Sequence, residues 1–218
     1  LAREGCASGT VVGADEQTAG IGRAGHSWHS EPDAGLYVSI VLRLALGAES
    51  LPLVMLALGL ATRDAIADVS GLAPDLRWPN DVLLGEKKCA GILAQMEGDA
   101  VIAGIGVNVA HSSFPSEIAP LATSLRMAGA SVSREEVLGP LVDSVDASCS
   151  VLKQGGPEAI CKAFGLASSY AHGRRVRVDQ EGAILEGVTR GLDPCGFLLL
   201  RQDNGTVTKI LAGGVRPL

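Results

Sequence analysis

From about Gly173 to the C-terminus no segment of this chain carries a helical apolar stripe: RRVRVD, AILEGVTRGL, GFLLLRQ and TVTKILAG all read as strands. Gly, Asp-Pro and Asp-Asn-Gly turns separate them, and the DNG turn between FLLLRQ and TVTKIL is a hairpin signal. Successive short strands must pair with one another to satisfy their backbones, which predicts a small antiparallel barrel. Upstream the texture differs. Val11 to Ala14 and Leu36 to Leu44 read as strands, and the apolar run from Leu51 to Ala61 continues through ATRDAIADV as an amphipathic helix packed on the sheet. Ser133, with Glu136 three residues on, forms a capping box before Val137, Leu138, Leu141, Val142 and Val145 at helical spacing. A short helix from Pro157 to Phe164 follows. The expected fold is therefore α+β: a mixed sheet with flanking helices over residues 1–170, then a small barrel over 171–218. At 218 residues and 47% hydrophobic content, the chain can bury one substantial core and carry one small module.

Charge and cysteine usage remove several function classes. A net charge of -6 argues against unspecific nucleic-acid binding, and no helix-turn-helix candidate is visible for operator DNA. Cys6, Cys89, Cys149, Cys161 and Cys195 form no C-x-x-C pair, so they read as reduced, mostly buried thiols of a cytoplasmic protein. His26, His29, His111 and His172 fall on loops without the spacing of a zinc site. The apolar run at Leu51 is about half the roughly 20 residues a membrane span needs, so no membrane partner is expected.

Three segments carry candidate chemistry. In QTAGIGRAGHSW, Gly20, Gly22 and Gly25 let the backbone approach a ligand, Arg23 offers a charged planar fork to phosphate or carboxylate, and Trp28 offers a stacking face. GIGRAG has the G-x-G-x-x-G spacing, yet no buried strand leads into it and no amphipathic helix follows, which argues against a dinucleotide fingerprint. RWPND, Arg77 to Asp81, satisfies a plain turn, but with aromatics at 3% the placement of both tryptophans, Trp28 and Trp78, beside small and polar clusters reads as ligand surface. VIAGIGVNV is a buried strand whose Gly104 and Gly106 admit a close neighbour, and its Asn108 is either a hydrogen-bonded core amide or a ligand-reading one.

Taken in order, QTAGIGRAGHSW, AGLYVSI, RWPND, KKCAGIL, GIGVNV and LAGGVRPL resemble the biotin protein ligase family, also called biotin–[acetyl-CoA-carboxylase] ligase, over nearly the whole chain. The resemblance implies a class II synthetase-like ligase fold followed by an SH3-like barrel. It implies an enzyme that activates biotin with ATP and Mg²⁺ to biotinyl-5′-AMP and transfers biotin to a lysine of a biotin carboxyl carrier protein. Gln17 and Gly20 then match the biotin head-group positions, Arg23 the arginine gripping the adenylate, and Trp28 the ring against adenine. Lys88 matches the essential lysine at the reacting carboxylate and phosphate, with Lys87 on the opposite face. Gly91, Ile92, Leu93, Gly104 and Gly106 match the wall along biotin's tail. Asn80 and Asn108 match nucleotide-side asparagines, and Asp81 matches the magnesium region. Pairing into a homodimer through sheet edges stays open.

The departures are Ile21, where the family commonly has arginine, and His26, where another basic residue or asparagine is usual. The family's Ser-Thr-Asn strand lies upstream of Leu1, which is not a methionine, so a preceding segment is expected. A lipoate-type ligase of the same fold and a catalytically weak biotin-binding relative are the alternatives. Joining two anions in an acyl-adenylate needs fixed positive charge and positioning more than a protein nucleophile, which suits Arg23 and Lys88.

Overall fold

The computed structural model describes residues 1–180 and 182–218. Its first sheet has the order β1-β2-β6-β5-β4-β3, formed by Val11–Ala14, Gly35–Leu42, Ala100–Asn108, Lys87–Glu97, Asp81–Leu84 and Asp75–Arg77. Every ladder in it is antiparallel, and an isolated parallel bridge joins Lys88 to Ala122. Because side chains alternate along a strand, the sheet has two chemically distinct faces. Leu36, Val38, Ile40, Ala103, Ile105, Val107, Ala90, Ile92 and Ala94 point into the core. The opposite face carries Tyr37 and Ser39 of β2 beside Gly106 and Gly104 of β6, with Gly91 and Leu93 of β5 beyond them.

Two helices cover the core face. Helix α1, Leu51–Ser70, starts with proline in its first turn and ends at Gly71 in the left-handed conformation. With the single turn before it, α1 extends the apolar run to Ala48–Ser70 at mean hydropathy 1.4, long and apolar enough to cross a membrane. The shorter estimate from Leu51 to Ala61 is corrected by the helix itself. Its Leu56, Ala57, Leu58, Ala61, Ala65 and Ile66 are packed in the protein core at 0–1% exposure. Helix α2, Arg134–Ala167, opens with both halves of the predicted capping box: Glu136 N–H donates to Ser133 Oγ at 3.2 Å and Ser133 N–H to Glu136 Oε2 at 2.7 Å. It breaks at Gly156, φ 67°, just before Pro157, so two helical segments are joined there.

The C-terminal strands β7 His172–Gln180, β8 Ala183–Leu192, β9 Leu198–Arg201, β10 Val207–Ile210 and β11 Gly214–Pro217 form a five-stranded, SH3-like antiparallel sheet of order β10-β9-β8-β7-β11. Among the described residues β10 and β11 do not pair, so the expected small barrel takes the form of an SH3-like sheet whose ladder stops at these two strands. Of the basic residues on β7, Arg174 pairs with Glu86 and Arg175 with Asp203, each at 2.7 Å, so both are engaged within the chain.

The expectation of a ligand surface at Trp78 is overturned. Trp78 is 3% exposed and its indole N–H donates to the carbonyl of Gly196 at 2.9 Å, locking the β8–β9 turn against the first sheet. Asp193 braces the same turn by accepting from the N–H groups of Cys195 and Phe197 at 2.9 Å each. Trp78→Phe is expected to lower unfolding free energy by about 1–3 kcal/mol, since the Gly196 carbonyl is left buried without its donor. An unchanged urea midpoint would show that this bond does not hold the turn.

Candidate functional site

On the sheet face away from the helices lies a cleft of about 1140 Å³, walled by the Gln17–His29 loop, by Phe114 to Ala122, and by Gly213, Gly214 and Arg216 of the C-terminal sheet. Its floor is set by glycine. Gly91 and Gly106 face each other across β5 and β6, and the indole of Trp28 lies directly on them. A Cβ on Gly106 would come within 2.7 Å of Trp28 Cε2 and Cζ2, and one on Gly91 within 3.0 Å of Trp28 Cζ3. Any side chain there would lift the ring. The indole Nε1 is buried without a hydrogen-bond partner.

The loop carrying Trp28 is a miniature hairpin. Trp28 N–H donates to Gly20 O at 2.8 Å, Gly22 N–H to His26 O at 2.6 Å, and Ile21 bridges Ser27. Gly20 cannot take a side chain, because its Cβ would meet the Trp28 carbonyl at 2.8 Å. At the tip Arg23 turns inward. Burial lowers its pKa from the ordinary value, opposed by the negative charge of Asp81, and it has no ion pair among the described residues. Gln17 is exposed at the loop's start, its N–H donating to Ser30 Oγ at 2.7 Å.

Lys88 reaches the cleft through a bulge. Between β4 and β5 the register slips from Val82↔Ala90 to Leu83↔Lys88, so Cys89 is an extra residue. Strict alternation would put Lys88 and Gly91 on opposite faces; the bulge turns Lys88 onto the cleft face with Gly91 and Leu93. Its Nζ lies 2.6 Å from Asp81 Oδ1 and 5.4 Å from the centre of the Trp28 ring. Lys87 points elsewhere, to the carbonyl of Ala119. Burial drives the Cys89 thiol up to about 12, which leaves it inert beside the site.

Asp81 is the electrostatic centre. Its Oδ2 accepts from Arg77 at 2.8 Å and 3.2 Å while Oδ1 faces Lys88. Burial works to raise its pKa, but Lys88 and Arg77 together outweigh that and hold it below the ordinary 3.8. The stabilisation this carboxylate gives is complete above its unfolded pKa and is lost as pH falls through the lower folded value. Asp81→Asn is therefore expected to cost about 3 kcal/mol at neutral pH, by stranding two cations, and progressively less under acid. Urea titrations from pH 7 to about pH 3 check this; an equal deficit at both ends of the range would refute it.

The structure brings nearly every residue singled out from sequence to this cleft. Asn80 Nδ2 donates to Ile92 O at 2.8 Å, tying β5 to the turn before β4. Asn108 is a core amide, 4% exposed, donating to Thr123 O at 3.0 Å at the cleft's end. Ile92 borders the cleft, but alternation sends its side chain into the core at 2% exposure, and its backbone pairs with Asn80. Sequence reasoning missed Ser39, Gln95, Phe114 and Arg216, which also line the cleft. For Arg216 the signal was its place in LAGGVRPL; the others sit in segments with no distinctive chemistry.

The Biotin/lipoate A/B protein ligase family matches residues 3–111, and the Biotin protein ligase C terminal domain matches residues 171–215. The chain is 34% identical over 212 residues to a biotin–[acetyl-CoA-carboxylase] ligase of Mycobacterium tuberculosis, covering 94% of this chain and 77% of the relative. It is 31% identical over 223 residues to the bifunctional ligase/repressor BirA of Bacillus subtilis, covering 99% and 68%. Among solved structures, the biotin protein ligase of Aquifex aeolicus in complex with biotin and ATP superposes with a TM-score of 0.85 at 32% identity, covering 98% of this chain and 91% of that one.

Proposed function

The chain belongs to the Biotin/lipoate A/B protein ligase family, and from that membership and the cleft we propose how it acts as a biotin protein ligase. The carboxylate of biotin attacks the α-phosphate of ATP, forming biotinyl-5′-AMP and releasing pyrophosphate. The amine of a lysine on a biotin carboxyl carrier protein then attacks the acyl carbon, forming the amide and releasing AMP. The free cysteines support a cytoplasmic setting for this reaction. Residues 1–170 form the catalytic domain and residues 171–218 the SH3-like domain, whose Arg216 closes one side of the cleft.

The observation that carries this reading is that two cations, Arg23 and Lys88, line one glycine-floored cleft. Apolar contact with Gly91, Leu93, Gly104 and Gly106 suits biotin's tail, while Gln17 and Gly20 stand where the head group enters. Lys88 and Arg23 neutralise the carboxylate and α-phosphate as they are brought together, a fixed electrostatic contribution that needs no solvent reorganisation. Asn80 and Asn108, with Trp28, border the nucleotide side. The test is pyrophosphate release from ATP: it should require biotin and fail with lipoate, and release equally supported by lipoate would overturn the substrate assignment.

Magnesium does not fit at Asp81. Both carboxylate oxygens are taken by Arg77 and Lys88, so an ion would have to displace one of these cations. Asp81 is read instead as the counter-charge that orients Lys88.

Trp28 occupies the surface that the tail of biotin would touch, so its indole must lift from Gly106 when ligand enters. Trp78 is fixed in the core, which makes fluorescence specific for this movement. Biotin or ATP should shift the emission of the native chain and leave that of Trp28→Phe unchanged; a constant native emission on saturation would exclude the movement.

A further inference from the structure

Just beyond Trp28, and outside the Arg23–Lys88 cluster, the fold assembles three groups that sequence spacing kept apart. His29 and Glu31 follow the loop hairpin, and His111 follows β6. One ligand atom from each lies within 4.8 Å of the others. His111 has no solvent exposure, and its Nδ1 is buried without a hydrogen-bond partner. An unpaired polar atom in such a place costs stability unless something occupies it.

The surroundings fix how that atom is presented. Tyr37 Oη accepts from Glu31 N–H at 3.1 Å and donates to Glu31 O at 3.2 Å, while His111 Nε2 lies 3.3 Å from the same oxygen. In the tautomer in which Nε2 donates to Tyr37 Oη, Nδ1 keeps a free lone pair. Phe114 stacks on the His111 ring at 4.9 Å and 14°, and Ser124 Oγ donates to the His111 carbonyl at 2.6 Å, so ring and backbone are both held. A hydrogen bond on one ring nitrogen that orients the other is the arrangement that supports metal-ligating histidines.

We propose that His29, Glu31 and His111 form a binding site for a divalent transition ion of the zinc class. Two imidazoles and one carboxylate suit zinc, cobalt or nickel over magnesium or calcium, and three protein ligands leave a fourth position open. Ligand atoms on a tetrahedral zinc lie about 3.3 Å apart, so His29 and Glu31, both on a loop, close inward by up to about 1.5 Å. The bound ion ties the loop that carries Arg23 and Trp28 to the end of β6 beside Asn108. Sequence spacing alone shows no zinc arrangement, because the proposed ligands converge only through the fold.

The experiment is calorimetric titration of the chelator-treated full chain with Zn²⁺, together with the visible spectrum of the Co²⁺ form. His29→Ala and Glu31→Gln are the variants of choice because neither residue is fully buried. One ion per chain, an affinity at least about 10-fold weaker in each variant, and a cobalt spectrum free of thiolate charge transfer are expected. The absence of uptake, uptake unaffected by both substitutions, or a thiolate band from the cysteines would overturn the site. None of these readings depends on ligase activity.

Discussion

Lys88→Ala is expected to slow biotin-dependent pyrophosphate release by about 100- to 1,000-fold, the loss typical of removing one preorganised donor that stabilises transition-state charge. The fold should survive, because Asp81 keeps its two bonds to Arg77 and the bulge at Cys89 is a backbone feature. The loss should therefore appear in kcat at saturating biotin and ATP, with a moderate fall in the urea midpoint from the loss of the Lys88–Asp81 pair. Lys87→Ala is the internal control. It removes an equal charge one residue away, but one that contacts Ala119 outside the reaction centre, and it should leave kcat nearly unchanged. If the two variants behave alike, the charge matters only through the general field of the cleft, and the role given to Lys88 is wrong.

That distinction between adjacent lysines shows where sequence reading stops. Alternation alone separates Lys87 from Lys88 but cannot say which faces the cleft, because the answer depends on a bulge defined by the partner strand β4. The capping box at Ser133 and Glu136 and the strand Val11–Ala14 were legible since their chemistry is local. Gly104 and Gly106 announced a close neighbour, although not that the neighbour is the indole of Trp28. The two tryptophans stand in similar sequence settings, yet one lines the cleft and the other anchors Gly196, a contact made from the far end of the chain. His29, Glu31 and His111 are the extreme case. Nothing near either histidine reports the other, and only the pairing of β2 with β6 brings Tyr37 and His111 to the same corner.

The glycine floor leads to the second large effect. Gly106→Ala puts a Cβ 2.7 Å from the Trp28 ring, and Gly106→Val adds two further methyl groups over the slot. Overpacking of this kind costs about 1–3 kcal/mol, which for a ligand confined to the slot is roughly a 5- to 150-fold loss of biotin affinity. Gly104→Ala, on the same strand and face, is the discriminating comparison. Its Cβ would meet the Leu93 carbonyl at 3.4 Å and Leu93 Cβ at 3.8 Å, ordinary contact distances, so a smaller loss is expected. Both positions face the open side of the sheet, away from α1 and α2, so the core is untouched and thermal stability should fall only by the cost of moving the Trp28 ring in the Gly106 variants. Calorimetric titration with biotin then reads the slot directly. A graded series, Gly104→Ala above Gly106→Ala above Gly106→Val in affinity, places the tail of biotin along β6 beneath the position that Trp28 now fills. Equal affinities in all three would mean that biotin binds elsewhere in the cleft, and that the indole on Gly106 is a fixed wall which ligand never displaces.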